Sequence, residues 1–225
     1  EGLFRCAEGF GSEGREAFAI CFHGHAGRSL ARIESIHLCS GVEMEFPGFA
    51  GDGGIIARLE IEVAQIDCAT LLHWVKLDNG LQLNQQHVFC GEWTHNRPKG
   101  FHARPQGMNP TSVAQFTVQS QPNAAGIYTG RWSHQKDPGK NKFSSMFPDH
   151  CSTEQILHSI SYATTSANNA QCPAGSPDWT QCGLNKPATG DNQEQRYCSQ
   201  DGKFFTIGFA PAKQGKINTA FPIFE

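Results

Sequence analysis

Two histidines fifteen positions apart, His87 and His102, enclose the segment Gly91-Glu92-Trp93-Thr94-His95-Asn96-Arg97-Pro98-Lys99-Gly100-Phe101. Imidazole has the side-chain pKa nearest neutrality, so of two imidazoles at one site one can accept a proton while the other donates one. That is the minimum for general acid–base cleavage of an RNA phosphodiester. A lysine or arginine must join them to offset the charge that grows on phosphorus. Two histidines around a polar turn suit a β-hairpin with one imidazole at each end. Read from residue types alone, the signal is modest, and histidines that flank a turn are more often incidental.

Charge is unevenly distributed around this segment. Residues 1–92 hold 6 Lys and Arg against 13 Asp and Glu, and residues 144–225 hold 5 against 7. Between them, Arg97, Lys99, Arg104, Arg131, Lys136, Lys140 and Lys142 face only Asp137. A basic middle in a chain of net charge −3 is a candidate polyanion site, with a solvated surface as the alternative. Arg97, Lys99 and Arg104 flank the histidines and are candidates to hold phosphates. Trp93 and Trp132 are candidates to stack on bases, with core packing as the alternative.

Other patterns carry less chemistry. Gly9-Phe10-Gly11-Ser12-Glu13-Gly14 fits the dinucleotide-binding spacing but lacks the strand–turn–helix context, so a loop is expected there. His23, His25, His37 and Cys39 form two metal-ligand-like pairs, but with ten histidines in the chain surface or packed positions are the default. Nine cysteines, with no CxxC among them, read as disulfides formed in an oxidising compartment. This points to a secreted, extracellular protein. Cys172, Cys182 and Cys198 are expected to staple the polar loop around them. The chain starts at Glu1 rather than Met and reads as a mature or trimmed product. No apolar run is long enough to span a bilayer, so no membrane partner is expected.

The elements that must position the histidines follow from periodicity and turn residues. At 225 residues the chain is one large domain or two small ones, and 24 Gly with 12 Pro favour strands and turns. Residues 1–80 read as a small β-rich N-terminal subdomain, with strands at Leu59–Val63 and Leu71–Leu77. Asp78-Asn79-Gly80 is a turn and the expected boundary. Further strands are expected at Val113–Gln119, Gly126–Trp132, Phe204–Phe209 and Lys216–Phe221. Ser152 is expected to cap a helix running to about Thr164, with Ile156, Ile160 and Ala163 on one face. Ser166–Gln200 reads as a long polar loop.

His87-x-x-x-Gly91-Glu92 followed by Gly100-Phe101-His102 resembles the two-histidine motif of the EndoU family. That family includes bacterial contact-dependent toxins, animal poly(U)-preferring endoribonucleases and the coronavirus uridylate-specific endoribonuclease. Lys142-Phe143-Ser144-Ser145-Met146-Phe147-Pro148 is similar to the family's Lys–Ser segment leading into a helix. Gly215-Lys216-Ile217-Asn218-Thr219-Ala220-Phe221-Pro222 is similar to its C-terminal strand. The resemblance covers about residues 85–225.

The resemblance implies an α+β EndoU-like endoribonuclease fold over residues 81–225, with antiparallel sheets forming a catalytic groove. It implies His102 as the general base on the ribose 2′-OH and His87 as the general acid on the departing 5′-oxygen. Lys142 would stabilise the phosphorane, with Lys140 as its rival. Ser145 and Thr219 fall where the family contacts the base or positions the phosphate. Arg104, Lys140 and Phe221 complete the substrate-binding candidates.

The implied reaction cleaves single-stranded RNA 3′ of uridines, leaving a 2′,3′-cyclic phosphate and a 5′-OH. It needs no metal in the reacting centre, although manganese stimulates many members. Phe221 stands where the family usually has Tyr. It keeps the stacking face and loses a hydroxyl hydrogen bond, which weakens the case for strict uridine preference. Two other classes stay open: an RNA-binding member without efficient catalysis, and a disulfide-stapled extracellular binding module. The biological role (toxin, digestive or regulatory) and the oligomeric state also stay open.

Overall fold

The structure, a computed structural model, describes the strand backbones at residues 3–10, 17–25 and 28–31, and then residues 65–165, 170–188 and 194–225. The chain divides into two compact units, Glu1–Ile61 and Glu62–Glu225. In the first, β1 (Leu3–Phe10), β2 (Ala17–His25) and β3 (Arg28–Ala31) form an antiparallel sheet in that order. The apolar run Phe18–Phe22 lies within β2, and Cys6 stands opposite Cys21 in the register. The expected strand Leu59–Val63, the end of the glycine motif at Gly11–Gly14, and the side chains of His23, His25, His37 and Cys39 lie outside the described residues.

Among the described residues, the second unit is built from small, mostly antiparallel sheets and one α-helix, an α+β arrangement. β4 (Trp74–Lys76) and β5 (Gln82–Asn84) pair across the Asp78-Asn79-Gly80 turn, so that turn closes a hairpin. There the Gly80 N–H donates to Leu77 O at 2.9 Å. A hairpin β6 (Glu92–Thr94) and β7 (Arg97–Lys99) follows. Next comes a meander of β8 (Val113–Ser120), β9 (Tyr128–His134) and β10 (Asp137–Met146). After the helix, β11 (Gln181–Leu184), β12 (Thr206–Phe209) and β14 (Ala220–Pro222) make a third sheet. The short β13 (Lys216–Ile217) pairs in parallel with β5.

Helix α1 spans Thr153–Thr165. Its start is a capping box: Ser152 Oγ accepts from Gln155 N at 3.2 Å, and Gln155 Oε1 accepts from Ser152 N at 2.9 Å. Ile156, Ile160 and Ala163 are buried on one face, as the periodicity requires. That face lies on β11 and β12. The approach is closest at Gly183, where an added Cβ would fall 2.0 Å from the Ala163 carbonyl.

Two apolar clusters result. The larger joins Leu83, Val88, Phe89, Ala103, Phe147, Ile207 and Ile217 to the helix. The smaller joins Phe101, Val113, Tyr128, Trp132 and Met146, with Phe116 against it.

Three disulfides close loops in this unit: Cys68–Cys90, Cys151–Cys198 and Cys172–Cys182. The expectation for Cys172 and Cys182 is met within the polar loop, whereas Cys198 reaches back to the residue before the helix cap. The Ser166–Gln200 segment is also not all loop. It contains β11, whose Gly183 hides a strand from composition-based reading. Among the described residues no helix is long and apolar enough to cross a membrane.

Candidate active site

The histidines are brought together by backbone pairing. His87 sits in a helical turn, Gln86–Cys90, and His102 follows β7. Phe101 N donates to His87 O at 2.7 Å, and His102 N donates to Val88 O at 2.7 Å. The flanking side chains lock this pairing, because Val88, Phe89 and Ala103 enter the large cluster and Phe101 enters the small one. His102 is therefore pinned between two cores. The imidazole centroids lie 6.2 Å apart with the rings inclined by 28°. The hairpin expected between them is present, with the imidazoles just outside its strands.

Two glycines make this approach possible. Gly100 has φ +71, and a Cβ there would lie 2.1 Å from the His87 carbonyl oxygen. Gly91 has φ +70, and a Cβ there would meet the buried Trp132 ring at 2.3 Å. Both positions need a left-handed backbone and a missing side chain.

The two rings have different partners. His87 Nδ1 donates to Glu92 Oε2 at 2.7 Å, while Glu92 Oε1 accepts from Asn84 Nδ2 at 2.9 Å. Burial pushes the Glu92 carboxyl up, and the hydrogen bonds and charge of its neighbours outweigh it, so its pKa lies below the ordinary value. A carboxylate thus holds the His87 ring through Nδ1 and leaves Nε2 as its other polar atom. His102 Nδ1 contacts Ser145 O at 3.0 Å. A carbonyl only accepts, so Nδ1 carries the hydrogen and Nε2 keeps the lone pair. Burial, followed by the charges of Lys142 and His87, holds His102 well below the usual histidine range against the opposing Ser145 bond. The two rings thus differ in their surroundings: His102 Nδ1 is held by a carbonyl and His87 Nδ1 by a carboxylate.

Lys142 supplies the cation. Its ammonium donates to Phe143 O at 2.9 Å, Ser144 Oγ at 3.0 Å and Gly100 O at 3.3 Å. Burial pulls its pKa down to about 8, so it is still mostly protonated at neutral pH. Lys140 goes elsewhere: it donates to Asn96 O at 3.1 Å and stands 3.7 Å from Asp137. The register of β10 slips between Asp137 and Asn141, which separates the two lysines' surroundings.

The remaining candidates are placed as follows. Phe221 lies 5.5 Å from the His102 ring, and the exposed Trp179 packs edge-on against Phe221 at 6.1 Å. Thr219 stands between Phe221 and Asn218, whose Oδ1 accepts from Asn84 at 3.2 Å. Ser145 contributes its carbonyl to His102. Arg104 is committed to Asp149 at 2.9 Å, to Asn109 at 3.2 Å and to the Phe116 ring at 4.4 Å, beside the Tyr128–Asp149 hydrogen bond. Trp132 is a core residue, and Trp93 lies partly buried under Lys140.

Residue type and spacing give no role to Glu92, Asn84, Ser144 or Trp179. The acid directly after Gly91 was the available signal for Glu92. Trp179 had only its place between Cys172 and Cys182. Among the described residues no group of His, Cys, Asp and Glu is arranged to hold a metal ion.

The bacterial EndoU nuclease family model matches residues 81–224. The chain belongs to the bacterial EndoU nuclease family. No curated protein and no solved structure matches it. As an EndoU nuclease it is an endonuclease acting on RNA. The matched span runs from the β4–β5 turn through the last strand and includes His87, His102, Lys142 and Phe221. Residues 66–77 precede it, yet Ile66, Leu71, Val75 and Leu77 pack on the same core as the matched span.

Proposed function

We propose that this EndoU nuclease cleaves single-stranded RNA, preferentially 3′ of uridines, by attack of the ribose 2′-OH on the adjacent phosphate. His102 Nε2 takes the 2′-OH proton, the 2′-oxygen attacks phosphorus, and His87 Nε2 protonates the departing 5′-oxygen. The products are a 2′,3′-cyclic phosphate and a 5′-OH. Lys142 offsets the charge on the non-bridging oxygens. The observation that carries this reading is the pair of rings 6.2 Å apart, one bonded through Nδ1 to a carboxylate and the other to a carbonyl. That asymmetry supports His102 as the base and His87 as the acid. Phe221 and Trp179 form an aromatic ledge beside the base for the nucleoside that carries the 2′-OH.

The reacting groups are all side chains of this chain, and the reaction proposed needs no metal, with manganese acting at most as a stimulant. Three disulfides support export to an oxidising compartment. The N-terminal β-rich piece is proposed to serve delivery, dimerisation or regulation of the nuclease.

The test uses an RNA with one uridine among adenosines and its 2′-deoxyuridine twin, each incubated with EDTA or manganese and weighed by mass spectrometry. Cleavage of the ribose strand alone, leaving a cyclic phosphate, is expected. An intact ribose strand under both conditions at high protein concentration would sink the proposal.

A further inference from the structure

The hairpin β6–β7 meets the site through Glu92 and carries two cations, Arg97 and Lys99, that the proposed reaction leaves unused. Its two-residue turn, His95-Asn96, has positive φ at both positions, 52 and 58. This is the turn that matches the twist of paired strands. The register is Glu92↔Lys99, Trp93↔Pro98 and Thr94↔Arg97. Partners in an antiparallel pair share a face, and successive residues alternate. Trp93 and Pro98 therefore take one face, where Pro98 is buried and Lys140 lies 5.7 Å over the Trp93 ring. Glu92, Thr94, Arg97 and Lys99 take the other.

Glu92 on that second face reaches His87 at 2.7 Å. Lys99, across from Glu92, and Arg97, one rung outward, thus stand on the face that meets the general acid. Arg97 is exposed and Lys99 half-buried, and neither makes an ion pair among the described residues. Alternate strand residues are about 6.8 Å apart. That is comparable with the step from one phosphate to the next in an extended single strand.

The direction of the strand follows from the chemistry and rests on the function proposed above. The 5′-oxygen that His87 protonates belongs to the nucleotide 3′ of the cleaved bond. The nucleoside carrying the 2′-OH lies at His102, beside Phe221. We infer that the Lys99–Arg97 face of the hairpin binds the phosphates immediately 3′ of the scissile bond. The preferred substrate is then a strand running at least three nucleotides downstream of the cleavage point, which carries two phosphates beyond the scissile one.

The experiment uses a single ribouridine in a deoxyadenosine strand, lengthened one nucleotide at a time on either side, with kcat/KM measured for each. In the wild-type protein kcat/KM rises as the second and third 3′ nucleotides are added and not with 5′ additions. In Arg97→Ala/Lys99→Ala the ratio of long to short 3′ substrates falls close to one.

A second measurement follows binding of the uncleavable all-deoxy strand by fluorescence anisotropy across salt concentrations. Each phosphate contact contributes about 0.7 to the log–log salt slope on a single strand, so losing two flattens it by about 1.4. Between roughly 50 and 200 mM salt that is about a sevenfold difference in affinity change. A 3′ gain that survives the double substitution, or a gain from 5′ additions instead, overturns the inference. Absence of cleavage of every RNA counts against the nuclease reading itself, and the salt slope still decides the hairpin: an unchanged slope overturns it.

Discussion

Replacing Gly100 by alanine perturbs geometry at this site without removing any of the groups proposed to react. The new Cβ would lie 2.1 Å from the His87 carbonyl oxygen and 2.7 Å from that ring's Cδ2. Such contacts essentially never fall under 3.0 Å, so the two segments must part by at least about 0.9 Å. The displaced carbonyl is the one that Phe101 N holds at 2.7 Å, and His102 follows directly. A misplacement of about 1 Å costs about a hundredfold in rate where groups must align. The left-handed backbone adds about 1–2 kcal/mol of strain for a residue with a Cβ, and the overlap adds about 1–3 kcal/mol.

Gly80→Ala is the internal control, with φ +86 and nothing within 4 Å of its Cβ. It isolates the backbone strain alone. At about 2–4 °C per kcal/mol for a chain of this size, Gly80→Ala should lower the melting temperature by about 2–8 °C and Gly100→Ala by about 4–20 °C. Thermal melts followed by circular dichroism, with RNA cleavage measured well below each transition, check both. Gly100→Ala with the same melting temperature and activity as Gly80→Ala would refute the close approach of the two segments.

Three other outcomes are expected. Glu92→Gln exchanges a charge-assisted hydrogen bond on His87 for a neutral one, a difference of about 1–1.5 kcal/mol. At 1.36 kcal/mol per decade, kcat should fall about 5–13-fold, as read by cleavage of the uridine-containing RNA at saturating substrate. In the wild type, His102 must be neutral and Lys142 charged. Because His102 titrates well below 6.5, the acid limb of kcat/KM should lie well below that pH, and activity should be falling by about pH 8 as Lys142 loses its proton; a pH–rate profile reads both limbs. Removing the Cys151–Cys198 bridge by double alanine substitution frees a span of 47 residues, and the chain-entropy relation gives about 4 kcal/mol, or roughly 8–16 °C in melting temperature.

Much of the catalytic half was legible because its signals are local. Ser152 and Gln155 write the capping box, and Ile156, Ile160 and Ala163 write the buried stripe. The spacing His87–His102 around Gly91 and Gly100 marks the paired segments. β10 was missed as a strand because Pro138, Gly139, Lys140 and Asn141 are poor strand formers, and tertiary pairing with β9 overrides them. Lys216–Phe221 was read as one strand, but it breaks at Asn218-Thr219 and serves two sheets.

At the site, long-range contacts were the hidden part. Nothing local reveals that Asn84 bridges Glu92 to Asn218, that Arg104 turns to Asp149, or that Trp132 belongs to the core. Those depend on which strands meet, and residue spacing does not carry that information.

The central claim is that His87 gives a proton to the leaving 5′-oxygen and His102 takes one from the 2′-OH. A substrate whose bridging 5′-oxygen is replaced by sulfur tests it most directly, since a thiolate leaves without protonation. The account predicts that this substrate restores cleavage to His87→Ala and leaves His102→Ala inactive. Restoration of His102→Ala instead, or of neither variant while the wild type cleaves both substrates, would contradict it.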